Sequence, residues 1–337
     1  MAAPNHFRSS EKKSFITKIK DFCIPKKGDT GKRATEKIVA LIAMIVLIIS
    51  LIACVFIIIK YQKPKATYSE YQKLLPQTVQ NQTEKPNKDF KIDPKTGVNA
   101  DLSKFYEVNN QIFGYLTIPD TKLSYPIPRG TDNNFYLDRT LYKKYDPFGV
   151  PFADYRCSVS KEIDSKTGLN AQSDNIPIYG HSAKDGSFFA AIKKYKDLDF
   201  YKKHPVIEFN TIYGNSKYKV VGLFMENVNY NLNPNMFAYH DFIDKKSDKD
   251  LMEFVDNVQK RNYIKSPVDI LPTDKFITLS TCDYEVSKKN YRVALVARRV
   301  RAGEDATVAV DLAKENTEMI MPEGWVKKKN RKNPYVK

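Results

Sequence analysis

The chain is short of the residues that several common kinds of protein are built from. It has 4 cysteines in 337 residues. Cys23 and Cys54 fall before or within a long apolar run, which leaves Cys157 and Cys282 for everything after it. That is too few for a disulfide-dense scaffold. No zinc-ligand spacing, glycine-rich phosphate loop or nucleic-acid motif is present, and there is no internal repeat. Acidic residues are scarce relative to basic ones, 39 against 55, so the formal charge is +16. Such an excess draws a protein to anionic surfaces such as phospholipid headgroups or a polyanionic wall. Here it is spread along the chain and carried mostly by Lys. That pattern belongs more often to solvated faces than to a reading surface, so it favours surface attraction over nucleic-acid binding. A hydrophobic fraction of 42% over this length allows a sizeable soluble core, as one large or two small domains.

Charge is absent altogether from Ile38 to Ile59, a run of 22 residues whose most polar members are Ser50 and Cys54. As a helix it would span about 33 Å, against about 30 Å for a hydrocarbon core. A buried core helix of this length without a single charge is the weaker reading. Residues 1–37 carry ten Lys or Arg against four acids, and four Lys follow between the run and Leu75. The positive-inside rule then puts the N-terminus in the cytoplasm and residues 60–337 outside the cell. A cleaved signal peptide would have a shorter apolar core and a small-residue cleavage site. The expectation is a retained single-pass anchor at the cell membrane.

The chain is expected to divide into a basic cytoplasmic leader (1–37), a transmembrane signal-anchor helix (38–59), an extracellular spacer (60–100), a folded main domain (101–301) and a basic tail (302–337). Within the spacer, Tyr68 to Leu75 has helical character and Gln77 to Lys95 reads as a flexible lift off the membrane. Asp101 to Asn109 is expected to be a short helix. From there, β-branched and aromatic runs bounded by Gly, Pro, Asn and Asp predict strands. They are Gly114 to Ile118, Leu123 to Ile127, Val150 to Asp154, Ile176 to Tyr179, Val206 to Asn210, Tyr218 to Met225, Phe276 to Thr281 and Arg292 to Arg299. Helical spacing is seen in Ser187 to Lys194 and in Asp248 to Val258, the latter opened by a capping box of Ser247 and Asp250. The expected fold is mainly β, a closed or nearly closed barrel with peripheral helices. Trp325 and the cluster Lys327-Lys328-Lys329-Asn330-Arg331-Lys332 read as a solvated tail.

Two strand ends carry chemistry. Ile176-Pro177-Ile178-Tyr179-Gly180-His181 ends in His, and Thr278-Leu279-Ser280-Thr281-Cys282 ends in Cys. Arg292 opens the strand that follows the second, and a short connection lets the two pair with Cys282 and Arg292 at one end. A thiolate is a nucleophile that a nearby cation favours. An imidazole can shuttle a proton to a leaving amine and from an incoming one. A guanidinium can stabilise an oxyanion. Together they suffice for acyl transfer through a thioester. Each alone has a plainer meaning: a turn histidine, a buried inert cysteine, an arginine on a solvated face. A Cys157–Cys282 disulfide is also open in an oxidising exterior. His204 and His240 read as structural or exposed.

These segments resemble the sortases, and among them class B. Thr278 to Cys282 is similar to the signature ending in that family's nucleophile, followed by a class B-like Asp283-Tyr284. Gly180-His181-Ser182-Ala183-Lys184-Asp185-Gly186-Ser187-Phe188-Phe189 is similar to the histidine segment, and Arg292 stands where the family's arginine is expected. Gly114-Tyr115-Leu116, Asp132-Asn133-Asn134-Phe135-Tyr136-Leu137 and Phe152-Ala153-Asp154-Tyr155-Arg156 are further landmarks. The likeness covers about residues 101–301. It implies an eight-stranded sortase-type β-barrel with a helix in the long connection Tyr230 to Pro272. It implies a membrane-anchored cysteine transpeptidase of Gram-positive type, acting on surface proteins that carry a C-terminal sorting motif. Cys282 would form the thioester, His181 act as acid and base, and Arg292 bind the oxyanion. Ser280, Asn133 and Leu137 would contact the sorting peptide. The acceptor would be an amine of a peptidoglycan precursor or of a pilus subunit. No cofactor is implied; some sortases are helped by calcium, but the acids here form no calcium loop. The long leader, residues 302–337 and Cys157 depart from the family pattern.

Two other functions fit the same composition. A cysteine peptidase would pass the thioester to water instead of an amine. A non-catalytic wall-binding protein would have no need of Cys, His and Arg at these spacings.

Overall fold

A computed structural model describes residues 19–20, 22–75, 91–183, 185–231, 233, 236–284, 287, 289–322 and 324–326. Most of the spacer Gln77 to Lys95, and the basic cluster from Lys327 on, lie outside the described residues. By its internal contacts the chain forms two units, residues 1–66 and 67–337.

The apolar run lies in a single helix, α1 (Gly31–Leu74). Its part from Gly31 to Ile58 is long and apolar enough to cross a membrane. The helix runs on past the apolar run, through Pro64, to Leu74, and so takes in most of the Tyr68 to Leu75 stretch whose sequence has helical character. Its last turns belong to the second unit and pack there. Tyr71 donates no charge but anchors the turn: its ring stacks on Tyr142 at 5.9 Å and its hydroxyl accepts from Leu141 N at 3.0 Å. Gln72 Nε2 donates to Tyr115 Oη at 3.0 Å.

After a 3₁₀ turn at Ala100–Leu102 comes α2 (Ser103–Val108). The strands follow in order: β1 (Ile112–Thr117), β2 (Ser124–Pro128), β3 (Phe152–Ala153), β4 (Val159–Asp164), β5 (Leu169–Gln172) and β6 (Asn175–Tyr179). A 3₁₀ stretch, Phe189–Lys196, leads to α3 (Leu198–Lys203) and then β7 (Val206–Thr211) and β8 (Lys217–Asn227). The long connection holds α4 (Asp248–Arg261), then β9 (Ile264–Lys265), β10 (Phe276–Cys282), β11 (Tyr291–Arg299) and β12 (Lys314–Glu315).

Eight strands form one sheet in the order β2-β1-β7-β8-β11-β10-β6-β3. These are the eight runs that the sequence marks, with ends displaced by one or two residues. The two outer strands meet at a bridge between Arg129 and Ala153, so the sheet curls back on itself. Inside lies a continuous apolar core that includes Phe105, Leu116, Ile127, Ile178, Phe209 and Leu295. Helix α4 has the expected capping box of Ser247 and Asp250. Its buried face is Leu251, Phe254, Val255 and Val258, the 3-and-4 spacing of an amphipathic helix. Each such side chain contributes roughly 2 kcal/mol by leaving water. The predicted helix at Ser187 to Lys194 is 3₁₀ rather than α; an i, i+3 apolar spacing serves both.

The tail corrects the sequence reading. Trp325 is buried, not solvated, and Met321 and Ala313 are buried with it. β12 pairs with β9, and Asn316 N donates to Tyr263 O at 2.8 Å. At the rim where the extension leaves β11, Glu304 accepts from Arg298 at 2.6 and 2.7 Å and from Lys219 at 2.7 Å. The Arg298 guanidinium, fully buried, holds the Glu304 carboxyl well below its ordinary value of 4.5. A depressed folded pKa contributes stability above the unfolded value and loses it as pH falls through the folded one. Melting temperature is therefore expected to drop progressively below about pH 4.5. Glu304→Gln should flatten that decline and cost about 2 kcal/mol at neutral pH, because it weakens the shortest charge-assisted bonds of a buried arginine that keeps Asp269 at 3.4 Å and Asp274 at 3.9 Å. Unfolding curves for both chains across pH 2–7 check this; parallel declines would refute it.

Candidate active site

Strand register brings the predicted residues together. β10 and β11 run antiparallel with Cys282 directly opposite Arg292. β6 runs parallel to β10 with Tyr179 opposite Ser280, so His181 and Cys282, each two residues on, leave the sheet at the same end. The close approach there depends on Gly180: a methyl at that position would stand 2.9 Å from the Phe189 ring. Thr281 Oγ1 donates to Gly180 O at 2.6 Å, and Gly180 N donates to Ser280 O at 3.1 Å.

The three side chains line one cavity of about 350 Å³. Asn133, Leu137 and Ser280, the expected peptide contacts, line it too, as do Phe152, Tyr179, Val228, Tyr239 and His240. Cys282 is partly exposed and unbridged. A link to Cys157 is ruled out by position. The Cys157 thiol reaches Asn175 O at 3.7 Å, and Asn175 pairs with Phe276, six residues before Cys282. At about 3.3 Å per residue that is roughly 20 Å, far beyond disulfide reach. Burial also pushes the Cys157 thiol up, away from the reactive thiolate.

The His181 ring is placed by Leu137, whose carbonyl lies 2.9 Å from Nε2. The loop behind it is closed by a bridge between Ser182 and Phe188 and by Phe189 N donating to His181 O at 2.9 Å. Phe188 takes a left-handed φ of 54°. Its ring is sandwiched between Tyr125 (5.3 Å) and Phe148 (5.6 Å). That sandwich offsets a backbone cost of order 1–3 kcal/mol, and it fixes the loop that carries the imidazole. Arg292 Nη1 donates to the carbonyls of Lys289 and Tyr291 at 3.2 and 3.1 Å.

The sequence reading passed over several groups around the cavity. Tyr239 is buried and shares a 2.8 Å hydrogen bond with Ser280 Oγ; burial pushes its phenol up to about 12. Glu226 lies opposite Arg292 on β8. Burial pushes its carboxyl up even though Arg261 donates to it at 3.2 Å. His240, expected as structural or exposed, lines the cavity. Nothing local marks Tyr239 or Glu226, because their meaning depends on which strand packs beside them.

Below the cavity, Asp154 is fully buried and holds three segments together. It accepts from Asn133 Nδ2 and Tyr179 Oη at 2.9 Å, and from Arg156 Nε and Nη2 at 2.9 and 2.8 Å. Arg156 goes on to donate to His240 O at 2.7 Å. Burial opposes ionisation of Asp154, but Arg156 and the other donors outweigh it and hold the carboxyl below its ordinary range. Asp154→Ala is expected to cost about 2 kcal/mol of stability, the cost of stranding buried donors. Denaturant unfolding measures it; a change below about 0.5 kcal/mol would mean that water replaces the carboxylate.

Comparison with known proteins agrees with this geometry. A family model described as the Sortase domain matches residues 116–300. Sortase B of Staphylococcus aureus is 26% identical over 204 residues, covering 60% of this chain and 76% of that protein. Sortase B of Listeria monocytogenes is 28% identical over 203 residues, covering 60% and 75%. A Staphylococcus aureus sortase B–substrate complex superposes with a TM-score of 0.57 at 23% identity, over 72% of this chain and 99% of that one. Sortase B from B. anthracis in complex with AAEK1 gives 0.52 at 25% identity, over 70% and 99%.

Proposed function

The chain belongs to the sortase family, as a class B cysteine transpeptidase of surface proteins, and from that premise we propose that Cys282, His181 and Arg292 carry the reaction. The Cys282 sulfur attacks the carbonyl carbon of the scissile peptide bond, and electrons move to the carbonyl oxygen. Arg292 stabilises that oxyanion by donating hydrogen bonds. His181 gives a proton to the leaving amine as the C–N bond breaks, which leaves a thioester on Cys282. An incoming amine attacks the thioester, His181 accepts its proton, and the thiolate is restored as the new amide forms. The observation that carries the proposal is the meeting of all three side chains at one cavity.

Ser280, Asn133 and Leu137 are proposed to hold the sorting peptide. Its acyl acceptor is an amine of a cell wall precursor or of a pilus subunit. The apolar run 38–59, within the helix Gly31–Leu74, is proposed as a single-pass anchor, with the basic leader 1–37 in the cytoplasm and the catalytic domain, about residues 101–301, outside the cell. The spacer 60–100 then separates the two, and residues 302–337 extend past the family's usual end.

The resemblance implies cleavage after a threonine of the sorting motif, so the test is product analysis with a peptide of that kind, with and without an added amine. A transpeptidase converts the product from acid to amide when the amine is present. Acid alone in both reactions would make the chain a peptidase.

A further inference from the structure

The C-terminal extension starts at one end of the sheet and finishes at the other. It leaves β11 beyond Arg299, next to the Glu304 cluster. It then pairs with β9, and Ile320 N donates to Lys260 O at 2.8 Å. It comes to rest with Trp325 only 7% exposed. There Gly324 lies against the phenol of Tyr291, and a methyl on Gly324 would stand 2.0 Å from Tyr291 Oη. Tyr291 is the first residue of β11 and the neighbour of Arg292. Its carbonyl accepts from Asp283 N at 2.9 Å and from Arg292 Nη1 at 3.1 Å. One tyrosine therefore meets the extension with its ring, and with its backbone meets both the residue after Cys282 and the guanidinium.

We propose that residues 302–322 and 324–326 form a strap that positions Arg292 through Tyr291, with Gly324 as the positioning residue at the contact. The inference rests on the reading of Arg292 as the oxyanion donor. An arginine has many rotamers, and its value to a transition state depends on being ordered before the bond changes begin. The strap holds the strand end from which Arg292 projects. Only glycine leaves room for the Tyr291 hydroxyl at this contact.

The test uses the full chain in detergent and a fluorogenic peptide chosen because the unaltered chain cleaves it, with hydroxylamine as acceptor. Gly324→Ala is expected to lower kcat about tenfold, with KM and the rate of Cys282 alkylation by iodoacetamide within about twofold of the unaltered chain. Adding Tyr291→Phe removes the hydroxyl that the new methyl strikes, and should restore most of the loss. In an Arg292→Ala background, Gly324→Ala should add nothing. If Gly324→Ala does not fold, Trp325→Leu loosens the same segment and should show the same kcat loss at constant KM. Full activity in these strap variants, with Arg292→Ala inactive, overturns the strap alone. So does a loss that Tyr291→Phe fails to relieve or that persists undiminished without Arg292. An active Arg292→Ala chain instead overturns the catalytic reading beneath it.

Discussion

Cys282→Ala is expected to remove peptide turnover by about 10⁴-fold or more, the size of effect seen when a covalent nucleophile is deleted. The reasoning runs through the other thiols. Among the described residues of the second unit, the only other cysteine is Cys157, which is buried with its thiol pushed up. It lies roughly 20 Å along the sheet from the cavity by strand register, so it cannot substitute. Cys282→Ser should be nearly as damaging, because a hydroxyl lacks the accessible anionic form of a thiol. Incubation with a threonine-containing fluorogenic peptide, followed by intact-mass measurement, reads both turnover and the acyl adduct. An Ala variant within tenfold of the unaltered chain would mean that no thioester lies on the path. Iodoacetamide should also label Cys282 ahead of Cys157, and turnover should disappear in step with that labelling.

Arg292→Ala is expected to lower kcat by about 10²–10³-fold with little change in KM, the signature of a donor that matters most when charge has formed on the oxygen. The residue is directly opposite Cys282 in the sheet. Two backbone carbonyls, those of Lys289 and Tyr291, orient one of its nitrogens. Arg292→Lys should recover only part of the loss, because a point charge on a flexible stem does not reproduce a planar fork. Steady-state kinetics separate the two constants. A rise in KM at unchanged kcat would make Arg292 a peptide-binding residue and not a stabiliser of the oxyanion.

Much of the architecture could be read from the chain because strand signals are local. Alternating β-branched and aromatic residues between turn formers mark all eight strands of the main sheet. The Ser247–Asp250 box marks the start of α4 on the same local grounds. The elements that escaped notice are those with weak local signals. β4 is polar and largely exposed from Val159 to Asp164, so no buried face writes an alternation into it. β9 and β12 are two residues long each. α3 spans six residues, less than two turns, and only its Asp197 cap could have announced it. Trp325 misled for a related reason. The lysines that follow it dominate any local average, whereas its burial comes from contacts with segments distant in sequence.

By itself the sequence determined the apolar helix, the mainly β domain and the identity of the residues with acyl-transfer chemistry. Those follow from hydropathy, periodicity and side-chain type, which are properties of short stretches. Only the tertiary structure decided that Cys282, His181 and Arg292 share a cavity and that Cys157 is out of reach. It also decided that Asp154 ties Asn133 to Tyr179 and that the C-terminal extension returns to Tyr291. Each of these is a meeting between positions tens of residues apart. Such meetings are set by strand register and side-chain packing, and a one-residue slip in register would undo them.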